Sequence, residues 1–307
     1  MITKTLFNVL RSPGPLDNLR GNIGRKTRVT IGLLKMLDLT VTPISPKGRL
    51  LEAYRIHLLQ LLEPIISRAL SSQTSQGPLL IGLGGGAGAG KSTLAYFLKI
   101  GLEIKGKRVL IIGEDEFIKS PEKRKALGTE WDENHLNLPA AAKALQEIKA
   151  GQKSITIPSY DRQSRQVIEK KINLHSIDIV IFEGLHALSR ERKLSKLGTF
   201  MDFGIFFEAN IADLEIRRFQ QEREKPYPRT SAQMSKHWRE GIFPDLKRNI
   251  QPTKQHADFV IKLTRGWLGL AYKVKARPLP QEEIAAVSAM STKPFINSLS
   301  PPTTPIS

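Results

Sequence analysis

Apolar residues along the chain gather into short continuous runs, separated by stretches with helical spacing. Leu79-Leu80-Ile81-Gly82-Leu83, Arg108-Val109-Leu110-Ile111-Ile112, Ile177-Asp178-Ile179-Val180-Ile181-Phe182 and Phe203-Gly204-Ile205-Phe206-Phe207 are such runs, and Phe259-Val260-Ile261 supplies a last one. Runs this short and this apolar suit strands buried on both faces. Between them, Leu94-Ala95-Tyr96-Phe97-Leu98, the alanine-rich stretch from Pro139 to Ala150 and the segment from Asp213 to Phe219 read as helices. The alternation predicts an α/β fold, a parallel sheet with helices on both faces. Residues 49–71 form a further helix ahead of it, with Leu51, Tyr54, Leu58, Leu61, Leu62 and Ile65 at helical spacing. Pro64 is set to kink or divide that helix. Ser71 to Pro78 is polar and reads as a linker.

The ends of the chain differ from its middle. Residues 1–76 form a basic N-terminal extension with its helix, 77–275 the main domain, and 276–307 a proline-rich tail expected to be disordered. In the first 49 residues, Arg11, Arg20, Arg25, Lys26, Arg28, Lys35, Lys47 and Arg49 are set against Asp17 and Asp38. The whole chain of 307 residues carries a formal net charge of +18. Such a charge suits nucleic acid, an anionic membrane surface or an enzyme of anionic substrates. No aromatic stacking platform accompanies the N-terminal charge, so a nucleic-acid contact there stays open without a motif behind it. Zero cysteines exclude disulfides, thiolate metal sites and cysteine nucleophiles. No apolar stretch is long enough to span a bilayer, and Met1 to Phe7 lacks the apolar run of a signal peptide, so a cytoplasmic setting is expected. Homo-oligomerisation stays open.

The chemistry begins where the first strand ends. Gly85-Gly86-Ala87-Gly88-Ala89-Gly90-Lys91-Ser92-Thr93 fits G-x-x-x-x-G-K-[ST], the phosphate-binding loop, between the strand and helix that it requires. Glycines let backbone N–H groups converge on anionic oxygens, and the next helix points its positive end at them. Lys91 would reach the β- and γ-phosphates of ATP, and Ser92 would offer its hydroxyl to Mg²⁺. Lys91 is expected to be exposed when no nucleotide is bound. In open parallel sheets ligands lie beyond the carboxyl ends of the strands, where Asp115 and Glu183 fall. Glu183 sits where an acid approaches Mg²⁺. Asp115 either completes that metal site or takes a proton from an attacking hydroxyl.

Two further clusters suit substrates. Ile157 to Arg165 reads as a loop whose Tyr160, Asp161 and Arg165 clamp a polar substrate. The run Arg217-Arg218-Phe219-Gln220-Gln221-Glu222-Arg223, continuing into Pro226-Tyr227-Pro228-Arg229, suits a lid that closes over phosphates. One of its arginines, taken here as Arg223, would neutralise charge on the transferring group.

Glu114-Asp115-Glu116-Phe117, Pro158-Ser159-Tyr160-Asp161, Phe182-Glu183-Gly184-Leu185 and Asn249-Ile250-Gln251-Pro252-Thr253-Lys254, with Ala257-Asp258 after it, come after the loop in a particular order. Their order and spacing over residues 78–265 resemble the phosphoribulokinase/uridine kinase superfamily, which includes bacterial type I pantothenate kinases. The resemblance implies ATP-dependent phosphoryl transfer to the hydroxyl of a small-molecule acceptor. It implies Asp115 as the hydroxyl-activating base and Glu183 near the metal. Within the superfamily the signals divide. Pro158-Ser159-Tyr160-Asp161 looks like the uridine kinase pattern and favours a nucleoside acceptor, although Arg165 stands where that family usually carries histidine. Arg218-Phe219 and Trp238-Arg239-Glu240 look more like pantothenate kinase. Glu183-Gly184-Leu185-His186 is similar to phosphoribulokinase and makes His186 a substrate-binding candidate.

The competing class is a nucleic-acid-dependent ATPase, supported only by charge. A regulatory GTPase would need Asn-Lys-x-Asp and a transporter-type ATPase Leu-Ser-Gly-Gly-Gln, and neither occurs.

Overall fold

A computed structural model of the chain describes residues 62–72, 77–127, 133–161, 164–223, 228–266 and 269–276. All of them belong to one compact unit that ends at Ala276. The basic segment up to residue 61 and the proline-rich tail lie outside the described residues. The first described element is helix α1, residues 62–71, which is the visible part of the expected N-terminal helix.

Six strands make the main sheet: β1 Leu79–Gly85, β2 Val109–Gly113, β5 Ile179–Glu183, β6 Phe203–Ala209, β7 Phe259–Gly266 and β8 Gly269–Ala276, in the spatial order β2-β5-β1-β6-β7-β8. The first five run parallel, and β8 pairs antiparallel with β7. All seven residues of β1 are buried, as befits the strand between β5 and β6. Leu83 of β1 and Gly113 of β2 both lie level with Glu183 of β5, so β2 and β5 end side by side, two residues before β1 does.

Alternate side chains of these strands enter two cores. One joins Ile81, Ile181 and Ile205 to α1 through Leu62, Ile65, Ile66 and Ala69, and to α2 (Lys91–Ile104) through Leu94, Leu98 and Leu102. The other joins Leu80, Val180 and Phe182 to α4 (Leu138–Lys149), whose N-terminus is capped by the Asn137 side chain. A short helix α3, Pro121–Leu127, lies between β2 and α4.

The segment expected as a substrate loop is instead part of a hairpin. β3, Ser154–Tyr160, pairs antiparallel with β4, Val167–Asn173, apart from the main sheet. Ile155, Ile157 and Ser159 alternate into the protein. Pro158 is tolerated because both strands of a two-stranded ribbon are edges. After β6 come α5, Ile211–Arg223, and α6, Ser231–His237, which opens on a capping box between Thr230 and Gln233. The chain stays helical through Ile250, with π-turns at Trp238–Ile242 and Leu246–Ile250 around Phe243–Asp245. Among the described residues no helix is long and apolar enough to cross a membrane.

Candidate active site

The phosphate loop leaves β1 through Gly85, whose φ of 147° and closeness to the Phe207 carbonyl leave no room for a Cβ. It enters α2 through Gly90, a left-handed N-cap at φ 102°. Lys91 is buried here, not exposed as expected, because its Nζ folds back to donate to the Gly86 carbonyl at 3.1 Å. Burial pulls its pKa down, against the opposing pull of Glu183, Glu114 and Asp115. Ser92 Oγ donates to Glu183 Oε1 at 2.7 Å, across the gap between α2 and the end of β5. Burial pushes the Glu183 carboxyl up, and the Ser92 hydrogen bond and Lys91 charge hold it back. A hydroxyl and a carboxylate side by side are hard oxygen donors of the kind Mg²⁺ takes when phosphates and water complete its shell. Among the described residues no group of three or more His, Asp or Glu could hold a metal ion by itself.

Next to this pair, the turn Glu114–Phe117 sends three successive acids in three directions. Glu114 points inward, where its Oε2 accepts from the backbone N–H groups of Leu185 and His186. Glu116 points to the hairpin, accepting from the Ser159 hydroxyl and lying 2.8 Å from Lys170 Nζ. Asp115, between them, faces a cleft of about 560 Å³ that Lys91, Ser92 and Glu183 also line.

His186 is fully buried rather than presented to a substrate. Its Nδ1 lies 2.9 Å from Glu114 Oε1 and its Nε2 3.5 Å from Asp245 Oδ1. Burial alone would lower its pKa, but the Glu114 charge and the hydrogen bonds to Asp245 and Glu114 raise it to about 10. The ring is therefore an imidazolium clamped between two carboxylates. Asp245 also accepts from Asn249 Nδ2 at 2.7 Å, which ties the helical wall of the cleft to the strand ends.

The other expected residues separate. Tyr160 contacts Arg124, whose guanidinium carbon lies 5.6 Å from the centre of its ring. Asp161 closes the hairpin turn by accepting from the Ser164 hydroxyl and N–H. Arg165, at φ 59°, lines a neighbouring cavity. Arg223 is exposed and is not among the residues lining the cleft, whereas Arg218 and Arg229 are. The reason is helical phase. Leu214 packs beside Gly86, and Arg218, one turn further, lies over Gly88, with about 140° of helix between it and Arg223. Leu214 could have revealed this, since an apolar residue four positions before an arginine marks the inward face. Arg124, Arg229 and Asp245 also line the cleft. Arg124 has no such signal, because α3 buries none of its residues.

The sequence profile of the phosphoribulokinase / uridine kinase family matches residues 80–266, a span that holds the loop and the strand ends of the site. The chain belongs to this family. It is a kinase, of the class that phosphorylates hydroxyl groups. A pantothenate kinase of Listeria monocytogenes serotype 4b is 29% identical over 218 residues, covering 63% of the chain and 71% of the relative. Among solved structures, a possible uridine kinase from Bacillus stearothermophilus superposes with a TM-score of 0.51 at 20% identity, covering 66% of the chain and 98% of that structure. The phosphoribulokinase from Rhodobacter spheroides gives a TM-score of 0.52 at 12% identity, covering 70% and 85%. These two likenesses concern the fold.

Proposed function

We propose that this kinase transfers the γ-phosphoryl group of ATP to a hydroxyl of a small metabolite, with Asp115 as the base. The observation that carries the proposal is the Ser92–Glu183 hydrogen bond at 2.7 Å, with Asp115 lining the same cleft from the next strand end. Lys91, already inside the loop, would swing from the Gly86 carbonyl to the phosphates. Ser92 and Glu183 would hold Mg²⁺, which supplies charge neutralisation between the phosphate oxygens. Asp115 would accept the proton of the attacking hydroxyl as the bond to phosphorus forms. Arg218, lying over Gly88, and Arg229 take the charge-neutralising role in place of Arg223. Glu114 stays out of the chemistry, since its oxygens are occupied by His186 and two backbone N–H groups.

Two acceptors compete. The nucleoside reading rests on Pro158-Ser159-Tyr160-Asp161, yet Tyr160 meets Arg124 and Asp161 closes a turn. A hydroxy acid such as pantothenate is favoured by the name of the sequence relatives. The test is Mg²⁺-dependent ADP release across a panel of both acceptor types, with RNA and DNA as a further arm. Acceptor-dependent release is expected, and Lys91→Ala should lower it at least about 100-fold while leaving the fold intact. Release stimulated only by nucleic acid would overturn the proposal.

A further inference from the structure

The turn that carries Asp115 is held at both ends. Gly113, the last residue of β2, lies level with Glu183, and the four-residue turn Glu114–Phe117 follows at once. At its far end Phe117 is buried against Phe182 of β5, with ring centres 6.4 Å apart. The Phe117 carbonyl also accepts from the Asn137 N–H at 2.7 Å. At the near end the anchor is a side chain. Glu114 is buried, its Oε2 accepts from the Leu185 and His186 N–H groups just beyond β5, and its Oε1 meets His186 Nδ1 at 2.9 Å. Gly184 leaves the space for this, since a Cβ there would run into the Glu114 carboxylate. Through His186, Asp245 and Asn249 the same anchor reaches the helical wall of the cleft.

A buried carboxylate is tolerated only with such partners, so Glu114 cannot drift without losing them. Adjacent Cα atoms keep a fixed spacing, and a shift of Glu114 is therefore passed on to Asp115. Resting on the kinase reading above, we propose that Glu114 is a positioning residue for the reaction. Its carboxylate, locked to the strand-end N–H groups and to His186, sets where Asp115 presents its own carboxylate to the attacking hydroxyl. Glu114 contributes reach rather than charge. Reach matters because proton transfer needs the base at hydrogen-bond distance, and a misplacement of about 1 Å can cost about 100-fold in rate.

Two substitutions separate reach from charge. Glu114→Gln keeps the length and an oxygen for the backbone N–H groups, while its amide donates to Nδ1 of a neutral His186 ring. Glu114→Asp keeps the charge but is one methylene shorter, so to hold the same partners it must draw the turn inward, and Asp115 with it. Single-turnover transfer is measured on the full chain with pantothenate or uridine, whichever the wild type uses faster. Rates are expressed per Mg·ATP site counted by titration, so that loss of folded protein does not enter. Glu114→Asp should fall by about 10- to 100-fold with Mg·ATP affinity kept, and Glu114→Gln should stay much closer to wild type. The reverse order, or two variants that transfer alike, would overturn the inference. The double variant Glu114→Asp/Asp115→Asn completes a cycle. If Glu114 works through Asp115, the shorter side chain costs nothing further once the base is gone. An equal fold-loss in both backgrounds would overturn the inference and leave the kinase reading intact. An Asp115→Asn variant that transfers at the wild-type rate would instead overturn the assignment of the base, and the inference with it.

Discussion

Glu114, Asp115 and Glu116 are identical in charge and adjacent in sequence, and their work is decided by what each side chain meets. The inward one is held by His186, and burial alone would have driven Glu114 to protonate; the imidazolium charge and the backbone N–H groups keep its carboxyl below the ordinary range. Asp245 is likewise depressed, its burial outweighed by the His186 hydrogen bond and charge. His186, at about 10 against an ordinary 6.5, binds its proton more tightly folded than unfolded. Its contribution to stability is therefore complete below about pH 6.5 and disappears as pH rises through about 10. The two carboxylates act at the other end, their share present above the ordinary carboxylate range and lost as acid protonates them. Denaturant titrations of wild type and His186→Gln at pH 7 and pH 10 check this. At pH 7 the variant should lose about 3–5 kcal/mol, because two buried carboxylates lose their counter-charge. The gap should narrow by pH 10, and a gap of constant size would contradict the clamp.

Helix α1 stands outside the alternating pattern of strands and helices, yet its apolar face enters the main core. Ile65 is fully buried, and Ile66 rests on Gly101 of α2, where a Cβ would come within 2.5 Å of its Cδ1. Truncating Ile65 to alanine should cost about 2–5 kcal/mol by cavity formation. Equilibrium denaturation reads this directly, and a loss under about 0.5 kcal/mol would show that α1 is a removable appendage. The helix was legible because Leu62 and Ile65 keep helical spacing. The β3–β4 hairpin was not, since Val167–Asn173 is almost wholly exposed and Pro158 sits inside the other strand. The helical wall from Trp238 to Ile250 was hidden in the same way. Pro244 reads as a breaker, yet it stands inside the continuous helical run, between the two π-turns.

Across the whole molecule, the parallel strands and the site at their carboxyl ends could be read from sequence because chain order and strand register coincide there. Gly113 and Glu183 end level, beside Leu83 two residues before the end of β1, so residues far apart in the chain were bound to meet if the sheet formed. Arg218 and His186 were harder, because their roles depend on helical phase and on which of three neighbouring acids turns inward. The net charge of +18 does not by itself choose between a nucleic acid and a phosphorylated substrate. In the proposed reaction Asp115 takes the proton while Glu183, with Ser92, serves the metal. Mg·ATP titrations and single-turnover transfer rates on Asp115→Asn and Glu183→Gln test it most directly. Asp115→Asn should bind Mg·ATP as wild type does and lose transfer by roughly 10²–10⁴. Glu183→Gln should weaken metal-dependent nucleotide binding, because an amide is a poorer partner for a hard cation. Loss of Mg·ATP affinity in Asp115→Asn, with normal binding but no transfer in Glu183→Gln, would contradict the account and exchange the two roles.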